Sequence, residues 1–228
     1  MPLDIPRIRA ICFDIDGTLR DTDDHWVQQL SVWLRPLGFL FAEHDPQPFS
    51  RRLIMAMESP GNTLQGLSDR LGLDGWLAKV GDLAYRQGIL HESGSYTIIA
   101  GAKEVITQLK PVYMLAVVSA RNERQIRKFL EFFELSSYFT VIASAQSSKH
   151  TKPFPDQIFW AAQKMQVSPG ACLMVGDTTV DIHAGKAAGA QTVGVLNGFG
   201  EEDELIRAGA DLILPSVADL PAILLAKT

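Results

Sequence analysis

Short apolar runs alternate with longer amphipathic stretches along most of this chain of 228 residues. The runs lie at residues 8–15, 112–118, 139–143, 171–175 and 191–196, and a weaker sixth candidate lies at residues 211–214. Their length and apolar character are typical of buried strands. The stretches between them place apolar residues at helical spacing, over residues 102–110, 122–133, 156–165 and 178–188. This alternation predicts an α/β fold in which helices cover a doubly wound parallel sheet.

The stretch of residues 22–93 interrupts this alternation. It contains no convincing strand, and its apolar residues form several helical stripes, one of which includes Trp26 and Trp33. Such stripes fit the interior of a helical bundle better than a ligand-binding surface. We therefore predict a core domain of residues 1–21 and 94–228, and a helical cap domain of residues 22–93 inserted after the first strand.

The composition narrows the class of protein. The net charge of −5 offers no basic field for nucleic acid or for an anionic membrane surface. The amino-terminal residues lack the apolar run of a signal peptide, and no apolar stretch approaches the roughly 20 residues that span a bilayer. Cys12 and Cys172 lie far apart in apolar runs, so we interpret them as buried thiols in a reducing compartment. We expect a cytoplasmic protein without nucleic-acid or membrane partners.

Two pairs of acidic residues follow apolar runs. Asp14 and Asp16 end the first run, where residues two apart point to the same side of a strand. Asp177 and Asp181 follow the run at residues 171–175 and share one face of a first helical turn. Each pair also has a simpler interpretation, as a strand-end turn or as acids that favour a helix start. If both pairs meet at one sheet edge, their mutual repulsion calls for a hard divalent cation such as Mg²⁺.

Three further residues extend this candidate site. Gly17 allows a sharp turn that brings backbone N–H groups close to a ligand. Ser119 directly follows the second run, and Lys152 follows the third run after a short loop. A hydroxyl and an ammonium at the same edge would suit recognition of a phosphoryl group, although each residue alone is an ordinary loop residue.

In this order, the motifs resemble those of the haloacid dehalogenase superfamily. The matching segments are DxDGT at residues 14–18, a hydroxyl residue at Ser119, KPxP at residues 152–155 and GDxxxD at residues 176–181. The longer segments TKPFPDQIFWAAQK and CLMVGDTTVDIHAGKAAGAQTVGV are similar to the phosphoglycolate-phosphatase-like branch. The resemblance covers about residues 8–21 and 101–214, and it implies a Rossmann-like core with a cap that closes over it.

The resemblance also implies how the acidic residues divide the work. Asp14 would be the nucleophile that attacks phosphorus, and Asp16 would protonate the leaving oxygen and later activate water. Mg²⁺ would be held by Asp14, Asp177 and the backbone carbonyl of Asp16, with Asp181 in close support. The chain would thus hydrolyse small phosphomonoesters through an aspartyl-phosphate intermediate.

Recognition of the phosphoryl group would fall to the remaining motif residues. Ser119 and Lys152 would hold phosphoryl oxygens together with nearby backbone N–H groups. The other candidate substrate contacts are Gly17, Thr18, Ala120 and Arg121. Arg121 either contacts the substrate or only begins the next helix, and Arg20 either approaches the substrate or braces the acids. The substrate would be a small phosphorylated metabolite, with phosphoglycolate, sugar phosphates and nucleoside monophosphates all open.

Asp16 favours phosphoryl transfer, since the dehalogenases of this superfamily lack an acid at this position. One alternative is a sugar-phosphate mutase, because His25 lies near the place where such relatives carry a cap histidine. Another is a phospho-accepting receiver domain, although the Asp16–Gly17 turn, the insert and the length speak against it. A non-catalytic ligand-binding relative is the third, although every catalytic position is filled. We expect a monomer or a homodimer.

Overall fold

The structure is a computed structural model that describes residues 3–21, 32–35, 46 and 96–226. Nearly all of the predicted cap, residues 22–93, lies outside the described residues. The helical cap and its boundaries therefore stay predictions.

The described core is built around a single parallel sheet. Its strands are β1 (Ala10–Phe13), β2 (Met114–Val118), β3 (Val141–Ala143), β4 (Cys172–Gly176), β5 (Gln191–Val195) and β6 (Leu212–Leu214). The helices of this core are α1 (Ala102–Leu109), α2 (Glu123–Phe132), α3 (Asp156–Met165), α4 (Thr179–Ala188), α5 (Glu202–Ala208) and α6 (Leu220–Leu224). The strand order is β3-β2-β1-β4-β5-β6, and every neighbouring pair is parallel.

This strand order fixes where a ligand can bind. Strands β2 and β3 lie on one side of β1, and strands β4, β5 and β6 lie on the other side. Where the connections from two neighbouring strands run to opposite sides of a sheet, a crevice forms at the carboxyl ends of those strands. Open α/β sheets bind ligands in this crevice. The crevice of this sheet lies between the ends of β1 and β4.

Alternation along the strands supplies two apolar layers, one on each face of the sheet. Ile11 and Phe13 of β1 belong to the layer that is covered by α1 and α2. Ala10 and Cys12 belong to the opposite layer, which is covered by α3 and α4. Both cysteines are buried free thiols, as the sequence predicted.

The predicted fold class is confirmed, and the six predicted strands and four predicted helices all form within a few residues of their expected bounds. The patterns of α5 and α6 escaped the prediction. The α5 helix has seven residues, of which only Leu205 is buried, and α6 has five residues, so both are shorter than the window of about 11–18 residues in which helical periodicity is recognised.

The described segments on either side of residues 22–95 are hydrogen-bonded to each other. The N–H of Asp21 donates to Thr97 O at 3.0 Å, and the N–H of Ile99 donates to Leu19 O at 2.9 Å. Leu19 is fully buried, so this pair of segments is anchored in the core. Within the described residues, no helix is both long and apolar enough to cross a membrane.

Candidate active site

The carboxyl ends of β1 and β4 bring the two predicted acidic pairs together. Asp14 directly follows β1, and its N–H still donates to Val175 O of β4 at 2.9 Å. Asp177 directly follows β4, and Asp181 lies in the first turn of α4. Asp14, Asp177 and Asp181 are all buried. Buried carboxylates without compensation are costly, so the surrounding groups decide whether this cluster can exist.

A tight turn after β1 places Gly17 against Asp177. Gly17 has a φ of 72°, and a Cβ added at this position would collide with the Asp177 carboxylate. Only glycine meets both demands without strain. The Gly17 N–H donates to Arg20 O at 2.9 Å and the Thr18 N–H donates to Ile15 O at 3.3 Å, so both groups serve the turn in this structure.

Asp177 is oriented from two sides. The Thr18 hydroxyl donates to Asp177 Oδ1 at 3.2 Å, and the Phe199 N–H donates to Asp177 Oδ2 at 2.8 Å. Asn197 completes the arrangement, because its side-chain amide donates to Gly17 O and accepts from Val217 N–H, each at 2.7 Å. The side chain of Thr18 is fully buried, and its predicted contact with substrate stays a prediction.

Lys152 is the cation at the centre of the acidic cluster. Its ammonium lies 2.7 Å from Asp14 Oδ1 and 2.6 Å from Asp181 Oδ1, and its side chain is only 5% exposed. Burial lowers the pKa of Lys152, but the two carboxylates raise it by more, so the pKa lies above its ordinary value. Lys152 is therefore a permanent positive charge.

Asp14 has a raised proton affinity. Burial raises the pKa of Asp14 to about 7; Lys152 opposes this rise, and the negative charges of Asp181 and Asp16 add to it. Asp181 has a fuller set of donors, since its Oδ2 accepts from the Thr178 N–H at 3.1 Å and hydroxyl at 2.8 Å. The contact with Lys152 thus offsets only part of the rise in the pKa of Asp14.

This imbalance is what a divalent cation would correct. Asp14, Asp177 and Asp181 each offer an oxygen atom that lies within 4.8 Å of the other two, and within the described residues this group contains no histidine or cysteine. When ionised, the three acids and Lys152 leave two negative charges. Mg²⁺ prefers such oxygen ligands, so the residues present fit this cation. The carboxylate of Asp16 is not part of the group, which leaves its predicted metal contact to its backbone carbonyl.

Asp16 is paired with Arg121 instead. The Arg121 guanidinium binds both carboxylate oxygens, through Nε to Oδ2 and through Nη2 to Oδ1 at 2.8 Å. The two side chains remain 28% and 23% exposed. Arg121 thus touches a candidate catalytic acid, and α2 begins two residues later after the Asn122 cap. The sequence left open whether Arg121 contacts the substrate or only begins the next helix. The structure adds a contact that neither interpretation included, the pair with Asp16.

Ser119 directly follows β2 and lies beside this pair. It is 2% exposed, and its hydroxyl oxygen accepts from the Arg121 N–H at 3.2 Å. Ala120, between them, is exposed at the same edge. The structure therefore brings Asp14, Asp16, Ser119, Lys152, Asp177 and Asp181 to one edge of the sheet, as the sequence predicted for parallel strands.

Two residues that hold this edge together were missed by the sequence reasoning. Gln157 is fully buried and links Ser119 to the Lys152 loop, and Asn197 links the glycine-rich loop after β5 to the turn at Gly17. Gln157 lies at an inward position of α3, where an apolar residue is expected, and that mismatch was the available signal.

Comparison with known proteins agrees with these features. Residues 11–195 match the family model of the haloacid dehalogenase-like hydrolases. The chain is 26% identical to pyrophosphatase PpaX of Anoxybacillus flavithermus over 223 residues, which are 95% of this chain and 97% of that protein. It is 29% identical to the phosphoglycolate phosphatase of Aquifex aeolicus over 196 residues, which are 84% of this chain and 86% of that protein.

The fold is also found in solved structures. A candidate beta-phosphoglucomutase of Thermotoga maritima superposes with a TM-score of 0.64 at 22% identity, covering 95% of this chain and 97% of that one. At this level of identity the likeness concerns the fold alone.

Proposed function

This chain belongs to the haloacid dehalogenase-like hydrolase family, and from that premise we propose that it is a Mg²⁺-dependent phosphatase that forms a covalent phosphate on Asp14. The observation that carries the proposal is the contact of 2.7 Å between Asp14 and Lys152 inside a cluster of buried acids. The relatives named as phosphoglycolate phosphatase and pyrophosphatase support phosphoryl transfer to water as the reaction.

Asp14 is the nucleophile in this proposal. Its carboxylate lies at the carboxyl end of β1, where the crevice of the sheet gives a substrate access to it. Its attack on phosphorus forms the bond from carboxylate oxygen to phosphorus and breaks the bond from phosphorus to the leaving oxygen. Attack of water on the same phosphorus then releases phosphate and restores Asp14.

Asp16 serves both halves of the reaction. It lies two residues beyond Asp14 on the same turn, and its side chain is partly exposed. In the first step it gives a proton to the leaving oxygen, and in the second step it takes a proton from the attacking water. Arg121 binds both Asp16 oxygens and holds this carboxylate in one orientation; one of the two contacts must open before that oxygen can carry the proton that Asp16 gives to the leaving oxygen.

The phosphoryl oxygens are held by Lys152, by the Ser119 hydroxyl and by backbone N–H groups near Ala120 in this proposal. Gly17 and Thr18 contribute less directly, because their N–H groups serve the turn. Mg²⁺ would be held by Asp14, Asp177 and the Asp16 carbonyl with Asp181 in support, and when bound it supplies the positive charge that lets a carboxylate approach a phosphate.

The substrate is a small phosphorylated metabolite of the cytoplasm, since a cap of residues 22–93 that closes over the edge leaves little room for a phosphoprotein. The protein would act as a monomer or homodimer. A sugar-phosphate mutase would use the same Asp14 and Asp16, so the fate of the phosphoryl group separates the two activities. A phosphatase releases inorganic phosphate, whereas a mutase returns an isomer of its substrate.

The test is phosphate release from phosphoglycolate, pyrophosphate and p-nitrophenyl phosphate, with Mg²⁺ and with excess chelator. We expect that release of phosphate requires Mg²⁺. After rapid quenching of the reaction in acid and proteolytic digestion, we expect a peptide that carries phosphate on Asp14. Asp14→Asn should abolish both signals, while Asp203→Asn, an exposed position on α5, should change neither. Hydrolysis that persists at full rate in the Asp14→Asn variant would rule out the covalent mechanism.

A further inference from the structure

Gln157 is a polar side chain in an apolar layer. It lies in the first turn of α3 and is fully buried, and its helix neighbours Ile158, Ala161 and Ala162 belong to the apolar layer under the sheet. A buried amide stabilises a fold only when its hydrogen-bonding groups find partners. The identity of those partners therefore indicates why the chain keeps glutamine here.

The partners of Gln157 are all segments of the candidate active site. Its Nε2 donates to Ser119 O at 2.8 Å and to Ser144 O at 2.9 Å. Its Oε1 accepts from the Lys152 N–H at 3.3 Å. The side-chain amide thus uses both of its donors and its acceptor on backbone groups.

Two of these three backbone groups lie just beyond the ends of strands. Ser119 directly follows β2 and Ser144 directly follows β3, and the ladder between these strands ends at Val118 and Ala143. Beyond that point the Ser119 N–H still donates to Ala143 O at 2.9 Å. The carbonyls of Ser119 and Ser144 both turn toward Gln157, which ties the two strand ends to each other.

The third contact extends this tie to Lys152. Lys152 begins the segment that leads into α3, and its ammonium holds Asp14 and Asp181. Gln157 fixes the Lys152 backbone five residues earlier in the chain, relative to the β2 end that carries Ser119. One side chain therefore links the backbone of Ser119 to the backbone of Lys152, the two residues that would receive a phosphoryl group.

We propose that Gln157 is a positioning residue that sets the distance between Ser119 and Lys152 for binding of the phosphoryl group. This inference rests on the proposed function, because it assigns Gln157 a role in the same site. It goes beyond a role in folding, because a purely structural amide would affect stability without affecting phosphate recognition.

Substitutions of Gln157 that leave different hydrogen bonds in place can separate a positioning role from a role in stability alone. Gln157→Leu keeps the volume and removes all three contacts. Gln157→Glu keeps the shape and the acceptor but removes both donors when ionised. Ile158→Ala is the control for stability, since it removes a fully buried apolar side chain from the next position of the same helix. Gln163→Leu is the control for chemistry at an exposed glutamine of α3.

The first measurement is the inhibition constant of inorganic phosphate, together with KM and kcat for phosphoglycolate, well below the melting temperature. We expect Gln157→Leu and Gln157→Glu to weaken phosphate binding and raise KM by about tenfold, which is the effect of misplacing one or two hydrogen bonds to a charged group. Ile158→Ala should lower the melting temperature at least as much as Gln157→Leu, yet leave the inhibition constant within about twofold of the wild type. Gln163→Leu should change neither quantity.

The second measurement is a double-mutant cycle between Gln157→Leu and Ser119→Ala. If Gln157 acts through Ser119, removing the hydroxyl first should leave Gln157→Leu with less than half of its effect on phosphate binding, measured as a logarithm. Equal effects in both backgrounds, or a loss of phosphate binding in Ile158→Ala as large as in Gln157→Leu, would overturn the inference. Absence of any Mg²⁺-dependent turnover and of phosphate binding in the wild type would instead overturn the proposed function, and the inference with it.

Discussion

Lys152 contacts Asp14 at 2.7 Å, although the two residues come from loops 138 positions apart in the chain. The contact is almost closed to solvent, with the Lys152 side chain 5% exposed and the Asp14 side chain 11% exposed. Charges that are buried in this way interact strongly but pay a large desolvation cost. A role in the proposed reaction therefore explains this ion pair better than a contribution to the stability of the fold does. Replacing Lys152 and replacing Asp14 should have different effects on stability.

Replacement of Lys152 should remove activity and destabilise the fold. Lys152→Met leaves Asp14 and Asp181 without their shared cation, and breaking a buried pair in this way costs about 3–5 kcal/mol. We expect kcat/KM to fall at least about 1000-fold, because both phosphoryl binding and charge balance are lost. Urea unfolding and steady-state kinetics measure the two effects. Lys164→Met, on the outer part of α3, is the matched control, and wild-type-like turnover by Lys152→Met would contradict the proposed role.

Replacement of Asp14 should have the opposite effect on stability. The pKa of Asp14 is raised by burial from 3.8 to about 7, so the folded protein holds this proton more tightly than the unfolded chain does. The resulting stabilisation is complete below about pH 4 and is lost as the pH rises through about 7, and it amounts to roughly 4 kcal/mol. Asp14→Asn carries no such charge, and Lys152 keeps Asp181 as a partner.

We therefore expect metal-free Asp14→Asn to be more stable than the metal-free wild type at pH 8, with the difference shrinking as the pH falls toward 4. Thermal unfolding of both proteins in chelator across this pH range measures the difference. Added Mg²⁺ should raise the melting temperature of the wild type much more than that of the variant. A difference that does not change with pH would show that burial of Asp14 carries no such cost.

The strands and the acidic pairs could be predicted because their signals are local. Each apolar run ends at the polar residues that follow it, and parallel strands bring such ends to one edge, so Asp14 and Asp177 could be placed together without coordinates. The Arg121 contact with Asp16 could not be predicted in this way. It depends on the direction of two side chains from different loops, which no spacing within either loop records.

Gln157 and Asn197 escaped for a related physical reason. Their partners are backbone carbonyls and N–H groups, which every residue has, so the sequence around Ser119 and Gly17 carries no trace of the contact. Only the unexpected polarity of Gln157 on an inward helix face was visible in advance. The candidate catalytic residues could thus be predicted from sequence motifs, whereas the residues that position them could be identified only from the structure.

Replacement of Arg121 should affect substrates according to their leaving groups. Arg121 fixes the orientation of Asp16, whose proposed task is to protonate the leaving oxygen. Alkyl esters such as phosphoglycolate need this proton, whereas the p-nitrophenolate group departs readily without it. For Arg121→Gln we expect kcat for phosphoglycolate to fall about 10–100-fold and kcat for p-nitrophenyl phosphate to fall much less. Arg127→Gln, which breaks an exposed pair with Glu123 on α2, should leave both unchanged. Equal losses for the two substrates would indicate that Arg121 does not act through Asp16.

Replacement of Gly198 should damage the metal site without removing a ligand. A Cβ at Gly198 would collide with the Asp177 carboxylate and with Gly17 O. Gly198→Ala must therefore displace Asp177, one of the proposed Mg²⁺ ligands. We expect the Mg²⁺ concentration for half-maximal activity to rise at least about tenfold, since small displacements of a ligand weaken metal binding strongly.

Gly189→Ala is the matched control for this prediction. Gly189 has a φ of 73° at the end of α4, yet a Cβ there would meet nothing within 4 Å. Its replacement should therefore cost only backbone strain, about 1 kcal/mol of stability, and leave the Mg²⁺ requirement unchanged. Titration of activity with Mg²⁺ and thermal unfolding of both variants give the comparison. A normal Mg²⁺ requirement in Gly198→Ala would mean that the loop after β5 moves aside easily, and that Asp177 is held by Thr18 rather than by Phe199.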